Sequence, residues 1–263
     1  MPPPTAAAWP ETLLSRVEDS GLNASAPPQQ RWLDGWLLRF SPGKAKRARC
    51  VQAVADGRLP LDERLALCAA AYRDAELPMV VRITPFSLPA GLDQALQERG
   101  YRRFDDTRVM IGVPAASPDE PLPDDSLLEP VSHAEFAEAV GAMRGSPAAQ
   151  RAAQAERLQH SPVPYQGWLL RRRSDRHVLA CGQTASEAEI VGLYDVFTEP
   201  GARGRGLARA LCAAMLARAH QRGARLAYLQ VEADNLPARA IYHRLGFADA
   251  YAYHYRSADP TAR

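Results

Sequence analysis

Apolar and polar positions follow two different patterns along the 263-residue chain, and these patterns meet at a stretch with no period. That stretch, residues 114–125, is dominated by proline and aspartate, which is typical of a connection between domains. We therefore interpret it as a linker between one domain over residues 1–113 and a second domain over residues 126–263.

The second domain alternates short apolar runs, which predict strands, with longer stretches in which apolar residues recur at helical spacing. The predicted strands cover residues 126–131, 167–173, 177–185, 189–197, 225–232 and 249–256. The predicted helices cover residues 133–143, 147–160, 204–221 and 236–245. Three strands follow one another without a helix between them, so the pattern predicts a mixed α/β sheet with an antiparallel part.

The first domain has a less regular pattern of apolar positions, and the order of its predicted elements weakly resembles that of the second domain. The pattern predicts strands over residues 31–40 and 79–83, a final strand or a bent pair of strands over residues 101–112, and helices over residues 62–75 and 89–99. In both LQERGYRRFDDTRVM (96–110) and YHRLGFADAYAYHYR (242–256), a helix end and a Gly-aromatic pair precede a strand. Duplication and chance both explain this similarity. Under duplication, GRLPLDERLA (57–66) stands where the second domain has a glycine-rich turn.

Composition narrows the class of protein. A net charge of +2, with 46% hydrophobic and 24% charged residues, gives no electrostatic reason to expect nucleic acid or a membrane surface as a partner. No apolar run reaches the roughly 20 residues that a membrane helix needs, and the start MPPPTAAAWPETLL lacks the features of a secretory signal. Four scattered cysteines and six dispersed histidines show no metal-ligand spacing, so we expect no metal and a cytoplasmic protein.

The segment VFTEPGARGRGLARAL (196–211) places three glycines between a predicted strand and a predicted helix. A helix N-terminus has backbone N–H groups without partners, and glycine lets a phosphate approach them. The turn lacks the lysine of an ATP-binding loop, and Arg209 stands where a dinucleotide-binding loop needs its third glycine. The segment alone therefore predicts an anion site, while a solvated glycine turn explains it as well.

A second motif narrows the choice of anion. The turn consists of Arg203, Gly204, Arg205, Gly206, Leu207 and Ala208. The downstream segment NLPARAIYHRLGF (235–247) contains Asn235, Ala240, Tyr242, Gly246 and Phe247. With these motifs in this order, residues 126–263 resemble the GCN5-related N-acetyltransferase (GNAT) family, whose phosphate loop follows the pattern (Gln/Arg)-x-x-Gly-x-(Gly/Ala). The resemblance implies an α/β GNAT fold with splayed central strands, preceded by a smaller, degenerate GNAT-like domain.

The resemblance also implies acetyl-CoA as cosubstrate and gives each motif a role. The pantetheine arm is expected along the backbone of Val196 and Phe197, and the pyrophosphate on the turn from Arg203 to Ala208. Asn235 is expected to cap its helix, to bind the arm, or both. Tyr242 is expected to protonate the leaving thiolate, and the N–H of Val196 or Phe197 to stabilise the oxyanion.

The group that removes the proton of the amine stays open at this point. Glu232, Asp195 and a water relay are the candidates, with a slight preference for Glu232. Strand alternation predicts Asp195 and Phe197 on one face of their strand, with Tyr194 and Val196 on the other. Pairing with an arginine explains either carboxylate equally well.

Together these motifs predict an N-acetyltransferase that moves an acetyl group from acetyl-CoA to a primary amine of a small molecule or peptide, by direct attack within a ternary complex. The alternatives are a non-catalytic acyl-CoA-binding regulatory module and transfer of a longer acyl group. In the similar segment of the first domain, residues 96–110, Leu96 stands at the position that corresponds to Tyr242. We therefore expect one cofactor site per chain.

Overall fold

The structure, a computed structural model, describes residues 9–43, 45–118 and 121–262. Two sequence-based predictions lie partly outside these residues, namely the lack of a secretory signal at the start and the linker over residues 114–125. The described residues divide into two compact units. The large unit contains the described residues up to Ala24 together with Val109–Ala250, and the small unit contains Ser25–Arg108 together with the residues from Tyr251 onward.

Helices and strands alternate through most of the described chain. The helices are α1 (Glu11–Ala24), α2 (Leu61–Asp74), α3 (Leu92–Glu98), α4 (His133–Met143), α5 (Ala148–Gln159), α6 (Leu207–Gln221) and α7 (Leu236–Arg244). The strands are β1 (Gln29–Leu33), β2 (Trp36–Phe40), β3 (Val51–Gln52), β4 (Val81–Ile83), β5 (Arg102–Gly112), β6 (Ser126–Val131), β7 (Tyr165–Arg172), β8 (Val178–Glu187), β9 (Ile190–Thr198), β10 (Leu226–Glu232) and β11 (Ala248–Ser257). Each element predicted after residue 125 is confirmed.

The large unit combines antiparallel and parallel pairing. Strands β6, β7, β8 and β9 pair antiparallel in chain order, and β10 then pairs with β9 in parallel. Helix α6 connects β9 to β10, as a parallel pair requires. Its apolar residues, Leu211 and Met215 among them, are buried with Leu170 of β7 and Leu193 of β9. A second buried cluster joins α4 and α5 to the sheet.

Helix α1, which the sequence pattern does not predict, belongs to the large unit and packs against β9. Arg16 forms an ion pair of 2.6 Å with Glu189, and the Tyr165 hydroxyl donates a hydrogen bond of 2.6 Å to the Ala24 carbonyl. The predicted domains follow the order of the chain, whereas each compact unit also takes in a segment from the opposite end.

The small unit begins with a hairpin where the sequence pattern predicts a single strand over residues 31–40. Asp34 and Gly35 have φ angles of 44° and 82°, and they form a two-residue turn between the antiparallel strands β1 and β2. The single-strand prediction is wrong because Asp-Gly is a strong signal for such a turn. Farther along, β3 and β4 pair in parallel and are joined by α2. This arrangement repeats the layout of β9, α6 and β10.

Candidate active site

The two parallel strands of the large unit separate at one end. Their pairing ends at Leu193 and Leu229, whereas β9 continues to Thr198 and β10 continues to Glu232. Past the last pair, β9 and β10 no longer form backbone hydrogen bonds with each other. An extended ligand that contains amides can supply those partners, as an added strand does.

A β-bulge interrupts β9 where the separation begins. Cys181 of β8 faces Phe197, and Gln183 faces Tyr194, so β9 has one residue more than β8 between these two pairs. Asp195 lies within the bulge and has a left-handed φ angle of 48°. The bulge therefore re-aims the peptide groups of β9 beside the gap.

The bulge overturns the predicted alternation of faces. Tyr194 and Phe197 both pack with the cluster formed by α4 and α5, whereas Val196 packs with the cluster formed by α6 and α7. Asp195 also faces α4 and α5, because it contacts Arg144 at the end of α4. The prediction that Tyr194 and Asp195 lie on opposite faces is wrong, since the extra residue breaks the period of two.

Three side chains hold the Asp195 carboxylate. Arg144 Nη1 donates to it at 2.9 Å, Gln183 Nε2 at 2.7 Å and Gln154 Nε2 at 3.3 Å. Gln183 is 1% exposed, and its Oε1 is buried with no hydrogen-bond partner among the described residues. The Arg144 guanidinium also lies 5.4 Å from the centroid of the Phe197 ring. Asp195 is therefore an ion-paired carboxylate with both oxygens engaged.

The backbone beside the bulge has one N–H that is already directed away from the gap. Burial raises the pKa of the Cys181 thiol to about 12, and a hydrogen bond from the Phe197 N–H works against that rise. The Glu199 N–H donates to the Leu179 carbonyl of β8 at 3.0 Å, and Phe197, two residues earlier and opposite Cys181, directs its N–H toward the same strand. Of the two predicted oxyanion donors, the Val196 N–H is the one left as a candidate for the gap.

The glycine-rich turn follows β9 and ends at the N-terminus of α6. Gly204 and Gly206 have φ angles of 78° and 75°, in the region that favours glycine. Among the described residues, a Cβ atom added to either glycine would meet nothing within 4 Å, so the space above them is open to that extent. Gly206 is the N-cap of α6, and within the described part of the chain no side-chain cap hydrogen bond is made at this helix start. The open approach and the positive end of the helix dipole fit a phosphate group.

The other residues of the turn divide into a charged rim and a buried anchor. The Arg203 guanidinium lies 5.6 Å from the centroid of the Phe197 ring, and its Nε donates to the Thr198 carbonyl at 3.4 Å. Arg205 forms an ion pair of 3.6 Å with Asp125, in which both side chains are half-exposed. Such exposed pairs contribute little to stability, so Arg205 can exchange its partner for a phosphate. Leu207 is buried in the core beneath the turn.

Helix α7 carries two of the predicted residues. Asn235 is its N-cap, and the Asn235 Oδ1 accepts a hydrogen bond of 3.3 Å from the Ala238 N–H, so the expected capping role is observed. Tyr242 is partly buried against the core that contains α6. Burial, with a smaller effect of the nearby Cys212, raises the pKa of the Tyr242 phenol. The phenol is therefore protonated at neutral pH.

Glu232 differs from Asp195 in its surroundings. Its side chain is exposed at the end of β10, and its carbonyl oxygen accepts a hydrogen bond of 3.1 Å from the Asn235 N–H. This bond ties the end of β10 to the start of α7. Among the two carboxylates predicted as bases, Glu232 is thus the solvent-accessible one and Asp195 is the engaged one.

In the small unit, a side chain of the chain itself fills the corresponding turn before α2. The Asp34 carboxylate accepts hydrogen bonds from the backbone N–H groups of Arg58, at 2.8 Å, and Leu59, at 3.0 Å, and forms an ion pair of 2.9 Å with Arg64. These N–H groups lower the pKa of Asp34. A Cβ atom on Gly57 would lie 2.1 Å from an Asp34 oxygen. A carboxylate of the chain itself therefore fills this turn.

In the small unit, backbone hydrogen bonds continue beside β3 at the position that corresponds to the separation of β9 from β10 in the large unit. Directly after β3, the Ala53 carbonyl accepts a hydrogen bond of 2.8 Å from the Leu88 N–H. The Leu88 carbonyl in turn accepts a hydrogen bond of 3.0 Å from the indole of Trp36. Chain backbone thus occupies the position next to β3 that stays open next to β9.

The sequence alone did not identify the side chains whose contacts join segments far apart along the chain. Gln183, Arg144 and Gln154 carry no motif, and Asp34 reaches the turn before α2 from a hairpin 24 residues earlier. The only available signal was the Asp-Gly pair of that hairpin. In the part of the chain that the structure describes, no cluster of metal-ligating side chains is found, and no helix is long and apolar enough to span a membrane.

Comparison with known protein families gives a match for the part of the chain that forms this site. Residues 137–247 match the model of the Acetyltransferase (GNAT) family. This range contains the bulge in β9, the glycine-rich turn, Asn235 and Tyr242. Residues 137–247, which are less than half of the chain, are therefore similar to a GNAT acetyltransferase domain.

Curated relatives agree with this class. An uncharacterised N-acetyltransferase, YobR of Bacillus subtilis, is 26% identical over 235 residues, which cover 86% of this chain and 91% of that protein. A mycothiol acetyltransferase of Saccharomonospora viridis is 42% identical over 66 residues. That match covers 25% of this chain and only about a fifth, 20%, of the mycothiol acetyltransferase.

Solved structures show the fold over nearly the whole chain. A GCN5-related N-acetyltransferase from Kribbella flavida superposes with a TM-score of 0.67 at 19% identity, covering 94% of this chain and 95% of that one. A tandem GNAT protein from the clavulanic acid biosynthesis pathway superposes with a TM-score of 0.65 at 16% identity, covering 90% and 86%. The predicted mixed α/β GNAT fold is confirmed.

Replacing Gly206 by alanine tests whether the turn serves an anion. The variant forces a left-handed φ angle on a residue with a Cβ atom, at a cost of about 1–2 kcal/mol. We expect Gly206→Ala to weaken CoA binding by about tenfold, or about 1.4 kcal/mol, in a calorimetric titration. Gly145→Ala is the matched control, because Gly145 also has a left-handed φ angle and open space around it. Equal CoA affinity in the two variants would contradict an anion site at this turn.

Proposed function

We propose that the large unit transfers the acetyl group of acetyl-CoA to a primary amine by direct attack within a ternary complex. The observation that carries this proposal is the juxtaposition of separated strands with an open, uncapped helix N-terminus. The separation fits an extended arm that contains amides, and the turn fits a pyrophosphate. Bound acetyl-CoA would supply an activated acetyl group as a thioester.

Each part of the cosubstrate has a proposed set of contacts. The backbone of Val196 and Phe197 receives the pantetheine arm, while the N–H groups of residues 204–208 receive the pyrophosphate, with Arg203 and Arg205 at the rim. Asn235 fixes the start of α7, and thereby the position of Tyr242 within that helix. The Val196 N–H donates to the oxygen on which negative charge develops, the largest single contribution in many acyl transfers.

Glu232 is the proposed proton acceptor for the amine, directly or through water. An amine must lose its proton before it attacks, and a base near neutral pH has to be accessible from solvent for that exchange. The exposed carboxylate at the end of β10 meets this need, whereas Asp195 is already engaged by Arg144 and Gln183. Asp195 then acts on the shape of β9 and not as the base.

Tyr242 is the proposed general acid that protonates the departing CoA thiolate. A general acid has to carry its proton at the working pH, and the raised pKa of the Tyr242 phenol secures this. The ring is also held in place by packing against Phe247, at 6.2 Å between centroids. A fixed phenol loses little entropy when it transfers its proton.

The acceptor is proposed to be a small-molecule or peptide amine. Support comes from the name of the mycothiol acetyltransferases, which acetylate a small molecule, although the match to them is confined to 66 residues. The near-neutral charge of the chain gives no support to nucleic acid as a partner. The four free, buried cysteines support a reducing compartment such as the cytoplasm.

The small unit is proposed to bind no CoA, so each chain has one cofactor site. Asp34 occupies the N–H groups of its turn, and the Leu88 backbone occupies the position beside β3. A phosphate would have to displace a carboxylate that is also paired with Arg64. Like charges exclude one another from such a site.

Transfer itself is tested with acetyl-CoA and a panel of amino acids, polyamines, amino sugars and short peptides. We expect at least one acceptor to release free CoA thiol above the hydrolytic background and to gain an acetyl group by mass spectrometry. Tight CoA binding without thiol release for every acceptor would contradict an enzymatic function and favour a binding module.

Tyr242→Phe removes the proposed acid while keeping the ring. We expect kcat to fall by about 10²-fold, within the usual contribution of a general acid, with CoA affinity unchanged. Because burial raises the phenol pKa, any loss of wild-type rate due to Tyr242 ionisation should begin only above the ordinary value of about 10. Tyr165→Phe, which removes a hydroxyl bonded to the Ala24 carbonyl, serves as the control and should lower stability without lowering kcat. Unchanged kcat in Tyr242→Phe would rule out the acid role.

The number of cofactor sites is measured by calorimetry with CoA. We expect one CoA per chain in the wild type and none in Gly204→Asp, which puts a carboxylate into the open turn as Asp34 does in the small unit. Two equivalent sites in the wild type, or one undiminished site in Gly204→Asp, would contradict this stoichiometry.

A further inference from the structure

Gln183 lies on β8 opposite Tyr194, next to the residue that faces the bulge, and is almost completely buried. Its Nε2 donates to Asp195 at 2.7 Å, while its Oε1 has no hydrogen-bond partner among the described residues. A buried amide with an unsatisfied oxygen is costly and is usually found where another interaction requires it. Here the interaction it makes is the bond to Asp195.

Asp195 itself has an unfavourable backbone conformation. Residues other than glycine rarely adopt a φ angle of 48°, although aspartate tolerates it better than most. Such a conformation persists where the surroundings hold it in place. The surroundings here are the donors from Gln183, Arg144 and Gln154, which come from β8, the end of α4 and α5.

The orientation of the neighbouring peptide depends on this conformation. Asp195 and Val196 are the two residues that face Gly182 across the bulge, so the φ and ψ angles of Asp195 set the direction of the Val196 N–H. The Val196 N–H is the oxyanion donor of the proposed function. Small errors in the placement of such a donor reduce rates strongly, because its geometry has to match the transition state.

We propose that Gln183 and Arg144 are positioning residues that act through the Asp195 carboxylate to hold the Val196 N–H in its catalytic direction. This inference rests on the proposed function, since it assigns the donor to the acetyl-transfer step. Asp195 serves as the link between these side chains and the backbone of β9.

The test is Gln183→Leu, which has a similar size and lacks the amide. We expect kcat for acetyl transfer to fall by about 10–100-fold while CoA affinity, which depends on the turn at residues 203–208, stays within about twofold. Backbone amide exchange at residues 195–197 should become faster. Gln166→Leu is the matched control, because among the described residues Gln166 on β7 bonds only to the carbonyls of Val131 and Gly167.

A second variant keeps the test decisive if Gln183→Leu fails to fold. Arg144 is partly exposed, so Arg144→Gln removes its charge from Asp195 without emptying the core. Its control is Arg151→Gln on α5, which loses an ion pair of 3.0 Å with Glu138. We expect the drop in kcat, and the faster exchange at residues 195–197, only in Arg144→Gln.

The outcomes separate this inference from the proposed function. An active wild type together with unchanged kcat and exchange in folded Gln183→Leu or Arg144→Gln would overturn the positioning role alone. A parallel loss of kcat and CoA affinity would also overturn it, because that pattern marks general damage to the fold. If the wild type transfers acetyl to no acceptor, the proposed function fails, and exchange at residues 195–197 decides whether the two side chains hold the bulge.

Discussion

The separation of β9 from β10 is the constraint on which the site depends. Two parallel strands pair up to Leu193 and Leu229 and then diverge, although each continues as a strand. Backbone groups that lose a partner inside a protein have to find another one. In this chain the bulge at Asp195 turns β9 away from continued pairing, and the gap that results leads directly to the glycine-rich turn.

The two units handle the same layout in opposite ways. In each, a helix joins two parallel strands, and a turn precedes that helix. The large unit leaves both the strand edge and the turn open, with Gly204 and Gly206 in left-handed conformations under open space. The small unit fills both positions with its own groups, the Leu88 backbone and the Asp34 carboxylate. This contrast supports the proposal that the same layout serves as a ligand site in the large unit and as a self-contained structural piece in the small unit.

Local patterns predicted every element of the second half of the chain, and in the first half they predicted α2, α3, β4 and β5 but not α1, β3 or the hairpin of β1 and β2. Apolar periodicity located each strand and helix after residue 125, and the glycines marked the open turn before α6 because left-handed backbone has a direct sequence signal. The bulge at Asp195 has no such signal, so an uninterrupted period of two placed Tyr194 on the wrong face. The hairpin at Asp34 was missed because apolar residues stand directly on both sides of its two-residue turn, Leu33 before it and Trp36 after it. Helix α1 was missed because its stability comes from contacts with β9, far away in sequence. Gln183 and Asp34 could not be predicted, since both act through contacts that only the folded chain creates.

A map of backbone amide chemical shifts, recorded while CoA is titrated into the isotopically labelled protein, tests the central claim most directly. The largest shifts are predicted along residues 194–198, along residues 203–208, and at the end of β10 and the start of α7, with small changes around Asp34 and residues 57–59. Shifts concentrated around Asp34 and the turn before α2, or the absence of shifts along β9, would contradict a CoA site between the separated strands of the large unit.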